Sequence, residues 1–248
     1  MAEKDHLAVV LCAGRGGRLR PLTDDRPKCL LRVGGKDILG RCLDDLIRCG
    51  IEETVLVTGY KADMVESFVR MGGWKGVRFT ANPDFASTNT AVSFHLALRD
   101  VRSGVILING DVLFDPALLA DLIASPEANG LVIDREIALN AEEIKVVARD
   151  GRVVQIGKDI EPAECAGEAI GIYKIGRETV PDLLRVYETL ESRGERRHYF
   201  EKGFEMVCGE GRGRTFGLVG TDGRPWVEID TPEDFAHAER HVAPRLEP

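Results

Sequence analysis

Two apolar rhythms alternate along the first half of this chain. His6 to Cys12 (HLAVVLC) is an unbroken apolar run closed by Ala-Gly, which predicts a buried strand. Ile38 to Cys49 has apolar residues at helical spacing and stops at Gly50, a helix-ending residue. The same alternation continues with strands at Glu53–Thr58, Gly76–Ala81 and Val105–Asn109, and helices at Lys61–Arg70, Asn89–Arg99 and Asp115–Ala124. Short buried strands between roughly ten-residue helices predict a parallel sheet covered on both faces.

The rhythm then changes. Glu143–Ala148 and Arg152–Ile156 flank Asp150-Gly151, the signature of a β-hairpin. A strand follows at Ala169–Ile175, then helices at Thr179–Arg193 and His198–Cys208, and strands at Arg214–Val219 and Trp226–Ile229. Thr231-Pro232-Glu233-Asp234 opens the last helix, with Thr as N-cap, Pro at the first helical position and acids in the first turn. The expected fold class is α/β: one mixed, mainly parallel sheet with helices on both faces and a small hairpin-containing region in the second half.

Composition narrows the field. A net charge of −8 argues against nucleic-acid or membrane-surface binding. Within that acidic chain, Arg15 to Lys36 holds seven basic residues (Arg15, Arg18, Arg20, Arg26, Lys28, Arg32, Lys36) against Asp24 and Asp25, a local excess suited to a compact polyanion. The six cysteines form no CxxC pair or Cys/His ligand spacing, which points away from disulfides and zinc and toward a reducing compartment. No signal pattern or membrane-length apolar stretch is present, so a cytoplasmic protein is expected.

The basic stretch lies on a glycine-rich loop after the first strand, where backbone N–H groups can approach a phosphate. It is neither a dinucleotide fingerprint, whose third glycine position is Leu19, nor a P-loop, since Leu30 stands where the first glycine belongs before Gly35-Lys36. Instead Leu11, Ala13, Gly14, Gly16, Arg18, Pro21, Leu22 and Thr23, followed by Pro27, Lys28, Leu30 and Leu31, match LxAGxGxRxxPLT and PKxLL. In this the chain resembles the sugar-phosphate nucleotidyltransferases, whose fold is Rossmann-like and similar to that of GT-A enzymes. The resemblance implies one nucleotidyltransferase domain over 1–248, with a nucleotide-binding half at about 1–125 and an acceptor-binding half at about 126–248. Leu11, Ala13, Gly14, Arg15, Gly16, Arg18, Asn89 and Asp111 would bind the nucleotide. Arg18 would hold the β/γ phosphates, and Lys28 would bridge the α-phosphate and the incoming phosphate; these two are the catalytic candidates. Asp111 and Asp230, each after an apolar strand, match the family's Mg²⁺ ligands, and magnesium needs only one or two carboxylates besides phosphates and water.

Further segments narrow the resemblance to the phosphocholine and aminoethylphosphonate cytidylyltransferases. Asn82 to Ser93 (NPDFASTNTAVS) is similar to their NPxYxxTNNxxS, Glu142–Val146 to EExKV, Gly167–Gly171 to GExIG, Tyr199-Phe200-Glu201 to an aromatic-aromatic-Glu helix start, and Trp226–Asp230 to W-[IV]-E-I-D. Thr90 and Phe200 depart from the pattern, where Asn and Trp are common. The resemblance implies CTP as donor, a small amine-bearing phosphate or phosphonate as acceptor, and pyrophosphate as product. Glu168, Tyr199, Glu201 and Trp226 would bind the acceptor, with Tyr173 and Phe200 as further aromatic faces. A homodimer is left open. The rivals are a sugar- or inositol-phosphate nucleotidyltransferase using CTP, UTP or dTTP, and a non-catalytic nucleotide-binding module. A glycosyltransferase would carry a DxD motif, which Asn109-Gly110-Asp111 is not.

Overall fold

Along the first strand, β1 (His6–Cys12), Leu7 and Val9 face one side while Ala8, Val10 and Cys12 face the other, and each set enters a separate buried core. That period of two sets the layers. The computed structural model describes residues 6–139, 141–209 and 213–246; residues 1–5, the start of the stretch expected to carry no signal pattern, lie outside them. β1 pairs in parallel with β4 (Thr54–Thr58), and β4 with β5 (Val77–Ala81), on one side. On the other it pairs with β6 (Gly104–Asn109). One face carries α3 (Thr90–Leu98), α5 (Val180–Ser192) and α6 (Glu201–Gly209), while α1 (Ile38–Arg48), α2 (Ala62–Gly72) and α4 (Pro116–Ala124) cover the other.

The sheet continues past β6 in the order β11 (Gly167–Ile175), β8 (Gly130–Asp134), β12 (Gly217–Gly220), β10 (Arg152–Gly157) and β9 (Lys145–Arg149). β11 runs antiparallel to both neighbours, so the parallel character belongs to the first half and to the β8–β12 pair. The strands curl until β9 pairs again with β11, setting Glu168 opposite Lys145. Asp150 and Gly151 both have positive φ, as the predicted tight turn between β9 and β10 requires.

Most predicted elements appear within a few residues of their expected bounds. β8, whose sequence is GLVID, and β7 (Val112–Phe114) were not foreseen. The helix expected from His198 begins at Glu201, because the preceding backbone is committed elsewhere. Ala91 N–H donates to the His198 carbonyl, and Phe200 N–H donates to Thr90 Oγ1. Caps fix several starts: Asn89 for α3, Asp115 for α4, and a Thr231–Asp234 capping box for α7 (Pro232–His237). Among the described residues, no helix is long and apolar enough to cross a membrane. All six cysteines are free.

A third, smaller core joins Leu19, Leu31, Val33, Ile38, Leu113, Ile229 and Ala243. It packs the glycine loop, the small hairpin of β2 (Arg32–Val33) and β3 (Lys36–Asp37), and the C-terminal segment against one another.

Candidate active site

The glycine loop leaves β1 and returns through Lys28, at the start of a single 3₁₀ turn. Gly16 is left-handed, with φ 62, and an added Cβ would stand 3.1 Å from the Lys28 Cβ and from Thr23 Cγ2. A larger residue would push the lysine stem out of place. Gly110 performs a similar service between β6 and Asp111: a Cβ there would lie 2.5 Å from the Leu11 carbonyl. Asp111 is thereby set beside the loop. β13 (Trp226–Glu228) pairs antiparallel with β7, and Ile229 N–H donates to the Asp111 carbonyl at 3.1 Å, which brings Glu228 and Asp230 to the same point.

Lys28 Nζ lies 2.6 Å from Asp111 Oδ2 and 2.6 Å from Asp230 Oδ1. Arg18 adds a 2.6 Å contact to Asp230 and a 3.5 Å contact to Glu142. Burial alone would lower the Lys28 pKa, but the two carboxylates outweigh it and hold the amine charged. Burial raises Asp230 in turn, yet Lys28 and Arg18 bring it below its ordinary value. Lys28 also favours the charged form of Glu228, but is outweighed there. Burial of Glu228, and then the charges of Asp111 and Asp230, push its carboxyl well up.

Asp111, Glu228 and Asp230 offer oxygens within 4.8 Å of one another, and Asp111 Oδ1 is buried with no hydrogen-bond partner. Three converging carboxylates with an orphaned oxygen fit a hard divalent cation. Asp111 and Asp230 were expected as its ligands; Glu228 was not. Its signal was present, since residues two apart on an extended strand project to one side.

The cavity beside this cluster, about 250 Å³, is lined by Leu11, Ala13, Gly14, Arg18, Asn89 and Asp111 of the expected nucleotide set. Gly16 sits behind the lysine stem. Arg15 lies over the Tyr60 ring at 5.6 Å and is absent from the lining. The expected acceptor residues divide. Tyr199 and Glu201 line this cavity with the unforeseen Lys158 and Asn109. Glu168 and Trp226 line an adjoining one of about 620 Å³, whose wall shares Arg18, Glu142, Glu228 and Asp230 with the first. That second wall is strongly acidic, with Asp134, Glu136, Glu143 and Asp234 besides.

The aromatic faces are also redistributed. Tyr173 is fully buried against Phe200 and Phe204 and donates its hydroxyl to Glu201 Oε1 at 2.8 Å. Phe200 is 1% exposed, leaving little of its ring for a ligand. The Tyr199 ring is covered by Lys158 Nζ at 4.7 Å, and Trp226 donates its indole N–H to Asp134.

Besides Asp111 Oδ1, three buried side-chain oxygens on these walls have no hydrogen-bond partner: Glu201 Oε2 and Asn109 Oδ1 in the first cavity, Glu168 Oε2 in the second. Burial pushes Glu201 up to about 7, offset in part by the Tyr173 hydroxyl. Burial, and then Glu143 and Asp134, push Glu168 up to about 8. Buried polar oxygens left unpaired are costly and call for a partner.

The model of the MobA-like NTP transferase domain matches residues 8–197. A UTP–glucose-1-phosphate uridylyltransferase of Haloferax volcanii is 53% identical over 242 residues, 95% of this chain and 96% of the relative. A CMP-5'-(3-aminopropyl)phosphonate synthase of Streptomyces rubellomurinus is 29% identical over 97% of this chain, which spans only 39% of that relative's length. The fold is similar to that of a CTP:phosphocholine cytidylyltransferase from Streptococcus pneumoniae, with TM-score 0.78, 23% identity and coverage of 95% of this chain and 98% of the other.

Proposed function

Since this chain belongs to the MobA-like NTP transferase family, we propose that it transfers CMP from CTP to a small amine-bearing phosphate or phosphonate and releases pyrophosphate. The observation that carries nucleotidyl transfer is Lys28 held between Asp111 and Asp230 at the mouth of the glycine loop. A phosphate oxygen of the acceptor attacks the α-phosphorus in line, and the P–O bond to pyrophosphate breaks. The nucleophile is already an anion, so no general base is needed. Gly14 and Arg18 bind the triphosphate, and Lys28 neutralises charge where the two phosphates meet. Lys158, which lines the same cavity, would hold the acceptor phosphate. Asp111, Asp230 and Glu228 would hold Mg²⁺, which supplies Lewis-acid polarisation and a template for phosphate oxygens when bound.

The amine rests on the unpartnered oxygens and on the acidity of the walls. An ammonium leaving water needs acceptors or aromatic faces. The accessible aromatic faces here are few, while Glu201 Oε2 and Asn109 Oδ1 are both available. A hexose-1-phosphate with UTP is the second reading, favoured by the identity to the Haloferax enzyme; sugar hydroxyls also donate to such oxygens. Pyrophosphate release, measured for the four NTPs against phosphoethanolamine, aminoethylphosphonate, phosphocholine and hexose-1-phosphates, separates the two. CTP with an amine should give the highest kcat/KM, and a clear preference for UTP with a hexose phosphate would replace the first reading by the second.

Glu201 gives a sharper test. Glu201→Gln should raise the amine-acceptor KM by one to two orders of magnitude, at about 1.4 kcal/mol per tenfold, and leave the KM for CTP nearly unchanged. The sign with pH is fixed by ionisation. Below about 7 Glu201 is largely protonated and attracts an ammonium weakly; above it the carboxylate is charged. Wild-type amine KM should therefore fall as pH rises through about 7. The Glu201→Gln enzyme should lack that component while still reporting titration of the acceptor's own phosphate. Equal pH profiles for the two enzymes would remove Glu201 from the amine site.

A further inference from the structure

We propose a second anion site, for an oligophosphate group, in the cleft behind the catalytic loop. This cleft, about 750 Å³, is lined by Gly35, Lys36, Arg41, Arg48, Asp115 and Arg245 among others. Its lining holds four cations and one acid, and with Asp44 and Asp45, which pair with two of the cations, the balance is still positive in a chain of net charge −8. The acid is already engaged, since Asp115 Oδ1 accepts from Ala117 N–H at 2.8 Å to cap α4. Lys36 is paired with Asp44 and Arg48 with Asp45.

Among the described residues Arg41 and Arg245 make no ion pair, although the Arg41 charge is felt at Asp45. Arg41 reaches only the Val33 carbonyl at 3.4 Å, and its Nε is buried with no hydrogen-bond partner. Arg245 reaches only the Gly223 carbonyl at 3.1 Å. A buried guanidinium donor left unpaired calls for an acceptor, and the planar guanidinium fork matches phosphate oxygens two at a time. Two such forks in one cleft, beside Lys36 and Arg48 in their pairs with Asp44 and Asp45, suit linked phosphates better than a single carboxylate. The acidic surface elsewhere disfavours a long polyanion such as nucleic acid.

The cleft also has a physical route to the catalytic residues. Its β2–β3 turn follows Val33, Asp115 lies two residues after Leu113, and Arg245 lies two after Ala243; all three apolar residues belong to the third core. Leu19, beside Arg18, and Ile229, between Glu228 and Asp230, belong to it as well. A ligand drawing Arg41 and Arg245 inward bears on the layer that seats the carboxylates.

The test is calorimetric titration with tripolyphosphate of the full chain carrying Arg18→Ala and Lys28→Ala, which removes anion binding at the catalytic loop. One saturable site per chain should remain. Adding Arg41→Gln and Arg245→Gln should weaken it by at least about tenfold, and Arg41→Lys alone, which keeps the charge without the fork, should weaken it measurably. Circular dichroism checks that each variant is folded. The Arg41→Gln/Arg245→Gln protein on a wild-type background should keep kcat/KM within about twofold, as expected for residues outside the catalytic centre. CTP that displaces tripolyphosphate would identify a nucleotide's phosphate tail as the ligand, and failure to displace it would identify a free oligophosphate. No saturable binding in the Arg18/Lys28 background, or binding unchanged by loss of both arginines, overturns the proposal.

Discussion

Lys28→Ala is expected to remain folded and to lose about 10²–10³ in kcat/KM, the scale of one lost electrostatic contact in a transition state. The lysine stands on a 3₁₀ turn whose Cys29 and Leu30 enter the second core, so its backbone position survives loss of the amine. Asp230 keeps Arg18 as a partner. What disappears is the cation that lies 2.6 Å from two carboxylates in the free enzyme and neutralises the phosphates in the reaction. Because that charge matters most as the new P–O bond forms, kcat should fall more than the KM for CTP rises. Lys28→Arg should rescue little. A planar guanidinium does not reproduce a compact amine bridging two oxygens at such short range, and Gly16 leaves no slack against the side-chain stem. Near-wild-type turnover in a folded Lys28→Ala protein would take Lys28 out of the chemistry.

The chemistry-bearing pieces were legible in the sequence where local pattern fixes them. The apolar run of β1 and the loop after it place Gly14, Gly16 and Arg18 without any tertiary information. An apolar strand ending at Asn109 places Asp111 at a strand's carboxyl end in the same way. What escaped depends on contacts between distant segments. Glu168 and Glu201 read as one amine site, yet they face different cavities: Glu168 is set by the pairing of β11 with β8 and β9, and Glu201 by the packing of α6 under the aromatic cluster. Tyr173 has the composition of a ligand face, but its hydroxyl is spent on Glu201 within the core. Lys158 ends a hairpin in a stretch without motif, and only the curl of the sheet carries it over Tyr199. Five residues of mixed apolar type, as in GLVID, are ambiguous alone; β11 on one side and β12 on the other make them a strand.

Asp111→Asn and Asp230→Asn should each remove about 10² or more of the activity, and the same changes should abolish the stability that Mg²⁺ confers. Three carboxylates within 4.8 Å of one another repel, and Lys28 and Arg18 offset only part of that charge. The raised carboxyl of Glu228, due first to burial and then to Asp111 and Asp230, is the local sign of it. A divalent cation held by the three oxygens relieves the repulsion that falls on Glu228. At a hundredfold excess over its Kd, bound Mg²⁺ adds about 2.7 kcal/mol to the wild type. For a chain of this size that raises Tm by roughly 5–10 °C. In EDTA the wild type should stay folded and inactive, because the three apolar cores do not depend on the ion. In EDTA both variants should melt at or below the wild-type temperature, since each takes a carboxylate from the buried Lys28, and added Mg²⁺ should scarcely move them. Mn²⁺ should restore only a fraction of their turnover, since an amide oxygen coordinates without neutralising charge. Differential scanning calorimetry with and without Mg²⁺, on the same samples assayed for pyrophosphate release, reads both effects together. A Tm response to Mg²⁺ equal in wild type and both variants would place the ion elsewhere and leave these carboxylates as partners of Lys28 alone.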